Sequence, residues 1–137
     1  MDGILELPVA SYRELSFGAY NRWKTFTVIG TGGSEAEELL KAASMSNTGP
    51  LIVLTHPGEY VKKLSDDYQS LRFNELARKR LQRLCLFLRN HRDRFDVTTF
   101  CRELSLWTSS AGTDNPDWRV TPLAIAKRLI ENNIGAF

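Results

Sequence analysis

The sequence predicts an α/β domain in which a largely parallel sheet is flanked by helices. Three observations carry that expectation. Strand-like and helix-like segments alternate along the chain. "LIVLT" at 51–55 is apolar or β-branched at every position, which suits a strand covered on both faces rather than one with a wet side. Two long stretches combine helical spacing with helix start signals.

Taken in order, "ILELPV" at 4–9 alternates apolar and polar residues and reads as a short strand ended by proline. Residues 10–24 are mixed, carry Gly18 and several aromatics, and read as a loop. "TFTVIG" at 25–30 is a β-branched and aromatic strand stopped by glycines. "SEAEELLKAA" opens a helix with Ser34 and Glu37 at capping-box spacing, and "SNTGP" at 46–50 is turn chemistry. The longest helix is expected from Asn74 as N-cap to about Asn90, with Ala77, Leu81, Leu84, Cys85 and Leu88 inward. "FDVTTF" at 95–100 reads as a strand presenting Phe95, Val97 and Thr99 on one face. The last helix takes Thr121 as cap and Pro122 at its first position, and Gly135 can close it. The resulting sheet is thin, with two exposed edges.

The bulk properties bound the function. The 137 residues are most simply one domain, 1–137, long enough to bury a real core. Net charge is +2 from 18 basic and 16 acidic residues, so no field of one sign points to nucleic acid. The densest basic run, "RKRLQR" at 78–83, reads as a solvated outer helix face that includes Arg80. Cys85 and Cys101 have no zinc-finger or CxxC spacing and read as small buried side chains. The first residues show no signal-peptide pattern and no apolar run approaches a membrane span, so a cytoplasmic protein without membrane contact is expected.

Four features invite a chemical reading. "GTGGSEAEE" at 30–38 lies where phosphate loops sit, but Glu35 occupies the last glycine position of a dinucleotide fingerprint and no Walker lysine is present. "HRD" at 91–93 lacks the asparagine of a kinase loop, since Thr98 stands there, and His91 reads as an exposed helix end. His56 ends the apolar run, fixed at the rim by Pro57 and Gly58, where an imidazole can act as acid or base. The same spacing equally serves a histidine bonded to nearby backbone. Trp23, Trp107 and Trp118 could stack on sugar rings or anchor core and loops, with Trp23 and Trp118 in polar, loop-like surroundings.

The segments "DGILELPVASYRE", "GPLIVLTHPGEYVKK" and "RLQRLCLFLRNHRDRFDVTTFCREL", in that order, resemble the C-terminal portion of NodB-type polysaccharide deacetylases over roughly residues 3–105. The resemblance implies part of a distorted (β/α) barrel, a partial barrel-like parallel sheet flanked by helices. It implies removal of acetyl groups from N-acetylated sugars with a divalent metal such as zinc. It gives His56 the role of the general acid that protonates the leaving amine, and Leu54 a place lining the acetyl pocket. The family's metal ligands, a paired Asp-Asp and an H-x-x-x-H, are missing: the only histidines are His56 and His91, and Asp66 and Asp67 follow the histidine segment rather than precede it. The chain is therefore expected to bind no metal cofactor and to be inactive alone. Carbohydrate, a second copy of itself, or a separate N-terminal half are its expected partners. The competing readings are a non-catalytic carbohydrate- or protein-binding module and a subunit that completes a site with another chain.

Overall fold

A computed structural model describes residues 6–46, 49–64, 69–103 and 117–134. Strands β1 (Ser11–Phe17) and β2 (Tyr20–Thr25) form an antiparallel hairpin, pairing Phe17 with Tyr20 and Ser11 with Thr25. A two-residue hairpin turn needs positive φ, and Gly18 supplies it at +57°. The register slips between Arg13 and Leu15, so Glu14 is the extra residue of a β-bulge, a device that re-aims a side chain. This hairpin replaces the loop expected over 10–24. Its strands carry few aliphatic residues because β2 is almost wholly exposed, which removes the apolar alternation that would have marked it.

Helix α1 (Gly33–Ser46) follows, then an extended stretch to Thr55 and a 3₁₀ turn at Pro57–Tyr60. A second antiparallel hairpin, β3 (Val61–Lys63) with β4 (Leu71–Phe73), leads into α2 (Glu75–Asn90). The chain ends its described course in α3 (Pro122–Ile134). Both expected caps form: Ala77 N donates to Asn74 Oδ1 at 3.4 Å, and Ala124 N to Thr121 Oγ1 at 3.2 Å. The α1 cap differs in position. Glu35, rather than Glu37, reaches back, accepting from Gly32 N at 2.7 Å, the N3-to-N-cap half of a capping box.

The parallel, barrel-like sheet is not found. The described residues hold two two-stranded antiparallel sheets, and parallel pairing is confined to isolated bridges joining Val9 to Ile52, Thr27 to Leu54 and Arg13 to Arg119. Of the expected strand 4–9, pairing within the described part begins at Val9. The run 51–55 does receive bonds, with Ala10 N on Ile52 O at 2.9 Å and Leu54 N on Phe26 O at 3.1 Å. Its cover is uneven: Leu51 and Val53 pack on the core and Ile52 is half-buried, whereas Leu54 is 49% exposed. Its continuous apolar character therefore overstated its burial. Residues 95–99 also form no strand, and the chain turns helical at Phe100. Phe95 packs against the core, but Val97 is 71% exposed and Thr99 is exposed too, so the three do not share a covered strand face.

The core gathers Tyr12, Phe26, Leu39, Leu40, Phe87 and Trp118 with smaller side chains around them, and α1 packs against both α2 and α3. Trp118 is thus a core anchor, with Nε1 3.4 Å from Ser46 Oγ, and Trp107 lies outside the described residues. Arg80, expected on the outer face of α2, is buried instead. It ties three elements together through Glu131 at 3.0 Å, Asn132 at 2.9 Å and the Ile29 carbonyl. Cys85 and Cys101, expected inside, are both exposed and unbridged. Among the described residues no helix is long and apolar enough to cross a membrane.

Candidate functional site

His56 is the N-cap of the 3₁₀ turn, in an extended conformation at φ −123° and ψ 134°. Pro57 has no N–H, so the first free amide of the turn belongs to Gly58, and it donates to His56 Nδ1 at 3.0 Å. Glu59 N donates to His56 O at 2.9 Å. The Glu59 carboxylate returns to accept from His56 N at 3.3 Å and, at 3.4 Å, from Thr55 Oγ1, whose oxygen lies 2.7 Å from the Tyr60 hydroxyl. Asn74 fastens this turn to α2, donating from Nδ2 to Glu59 O and from N to Tyr60 O, each at 2.8 Å. The ring is exposed, and among the described residues Nε2 has no partner. The imidazole thus bonds to its own backbone through one nitrogen and exposes the other to solvent.

Leu54 lies two residues earlier on the same exposed side. Trp23 is held elsewhere, half exposed on β2 with the Arg13 guanidinium 5.3 Å from its ring centroid. No described contact brings Trp23 to His56. A cavity of about 460 Å³ opens beside this segment, but Leu51, Ile52 and Val53 line it with α1, α2 and residues 94–98, and His56 does not.

Among the described residues the side chains do not fit a divalent metal. Among the described residues no three His, Cys, Asp or Glu side chains converge, and metal sites need several such donors. His56 has spent Nδ1 on Gly58. His91 is not the exposed helix end expected but a half-buried C-cap of α2, its Nδ1 2.8 Å from Phe87 O and its ring stacked on Phe87 at 4.1 Å. Asp66 and Asp67 lie outside the described residues.

The glycine-rich turn at 30–33 is filled from within. A side chain at Gly32 would meet Arg128 Cβ at 2.7 Å, and one at Gly33 would meet the Arg83 guanidinium at 2.5 Å. The glycines admit arginine side chains from α3 and α2, not a phosphate. Below the turn the bulged Glu14 and the fully buried Glu35 share Arg128, whose Nε is 3.0 Å from Glu35 and whose other arm bonds Glu14. Arg22, at 3.1 Å, and Lys24, at 3.5 Å, complete the charge balance on Glu14. Burial holds the Lys24 ammonium below the ordinary lysine range and pushes the Tyr12 phenol well above its own. The sequence signal for this cluster was weak, because a β-bulge and an inward Glu35 are invisible to periodicity.

No protein-family model matches the chain, and neither a curated protein nor a solved structure matches it.

Proposed function

We propose that the chain is related to the NodB-type polysaccharide deacetylases through its histidine-bearing segment, and that alone it binds N-acetylated sugar without hydrolysing it. The observation that carries this reading is His56 itself: one ring nitrogen is fixed by Gly58 N–H at 3.0 Å, the other is free, and exposed Leu54 stands beside it. A hydrogen-bond donor next to a small apolar surface matches an acetamido group, which pairs a carbonyl oxygen with a methyl. The resemblance over roughly 3–105 supports the same sugar class. The reading includes no barrel and no metal step. The unbridged thiols Cys85 and Cys101 suit the reducing cytoplasm, and self-association belongs to the reading because α3 exposes Leu123, Ile130 and Ile134.

Acetate release from chitin oligomers, with zinc added or chelated, tests the reading together with retention on a chitin matrix. We expect retention without acetate. Chelator-sensitive acetate release would overturn the inactivity, and failure to bind either N-acetylated substrate would overturn the sugar class.

A further inference from the structure

The two histidines face opposite kinds of partner. Gly58 gives His56 Nδ1 an N–H at 3.0 Å, so in the neutral ring that nitrogen must carry the lone pair and Nε2 the proton. His91 Nδ1 faces the Phe87 carbonyl at 2.8 Å, so its proton must lie on Nδ1. What keeps the first arrangement in place is the turn. Glu59 closes it by accepting from His56 N, while Gly58 leaves the ring room: a Cβ there would stand 3.1 Å from Nδ1 and 3.3 Å from Cε1.

We propose that Glu59 is the positioning residue of His56, closing the 56–59 turn so that the neutral imidazole is fixed as the Nε2–H tautomer and presents a donor to an oxygen acceptor on the ligand. The identity of that acceptor, an acetamido carbonyl, rests on the deacetylase-related reading; the tautomer does not. Glu59 acts at one remove, since its carboxylate touches His56 N and Thr55 Oγ1 and not the ring. A carboxamide at this position can accept the same two bonds, and alanine can accept neither.

Long-range ¹⁵N–¹H correlation of the imidazoles, recorded at about pH 9, above the ordinary imidazole range, reads the tautomers directly. For the intact chain we expect His56 and His91 in opposite tautomers, with a through-hydrogen-bond ¹⁵N–¹⁵N coupling joining Gly58 N to His56 Nδ1. In Glu59→Ala the coupling should vanish and the two His56 nitrogens should move toward averaged shifts, while His91 stays unchanged as evidence of an intact fold. Glu59→Gln should restore both signals. Protonated Nδ1 at His56, or an Ala variant indistinguishable from the parent, would overturn the proposal. Failure of the sugar reading would appear separately, as ring signals that ignore added N-acetylated oligomer while the tautomer remains fixed.

Discussion

Replacing Arg128 by methionine keeps most of the side-chain volume but removes the guanidinium shared by Glu14 and Glu35. Their side chains are 2% and 0% exposed, so neither carboxylate can recover its solvation in water. Some compensation survives. Glu35 keeps its bond from Gly32 N at 2.7 Å, and Glu14 keeps Arg22 and Lys24. Loss of a single hydrogen bond to a charged group costs about 1.5–3 kcal/mol, and breaking a buried ion pair from one side costs about 3–5 kcal/mol. With two carboxylates stranded at once, we expect about 3–5 kcal/mol, a large part of the roughly 5–15 kcal/mol that holds a domain folded. Urea melts should show a lower midpoint with an unchanged slope. Adding Glu35→Gln to the methionine variant removes one stranded charge and should recover part of the loss. A loss below about 1 kcal/mol, the scale of exposed pairs, would refute the reasoning by showing the cluster to be solvated.

Tyr12 sets a second expectation. Its phenol is raised by burial, so the unfolded chain ionises first, and the associated stability, fully present below about pH 10, is lost as pH rises beyond it. Lys24, depressed by burial, acts with the opposite sign, so the comparison must isolate the phenol: Tyr12→Phe should be the more alkali-resistant protein in melts at stepped pH, and equal losses would remove the claim. His56→Ala deletes an exposed cap and should cost only about 0.5–1 kcal/mol, the low end for N-caps; a denaturant loss above about 2 kcal/mol would make the histidine structural. Ile130→Lys, at a residue 58% exposed on α3, should weaken self-association in sedimentation equilibrium, and a parent chain already monomeric at high concentration would remove self-association from the reading.

Helices were legible because their signals are local. Asn74 and Thr121 announce their caps within three residues, and α2 and the Pro122 start of α3 fall where spacing puts them. Sheet structure was not, because pairing is decided by distant partners. The run 51–55 has the composition of a central strand, yet the structure gives it bridges rather than a ladder, while the β1–β2 hairpin forms from mostly polar and aromatic residues, with Leu15 its one aliphatic side chain. The site divides the same way. That His56 ends the run before a proline-glycine turn could be read directly, and so could its sharing a side with Leu54. That Gly58 N–H occupies Nδ1, and that Arg80 turns inward to Glu131 across α3, depends on side-chain geometry that spacing does not contain.

The central claim is that His56 and Leu54 together meet an N-acetyl group, and a methyl- and ring-resolved NMR titration tests it most directly. Chitin oligomer and its fully deacetylated counterpart are added separately to the intact chain and to His56→Ala. The N-acetylated oligomer should move the Leu54 methyl and His56 ring signals to saturation, the deacetylated one should not, and the variant should lose the response. Equal movement with both oligomers, or a response confined to residues away from 54–60, would contradict the claim.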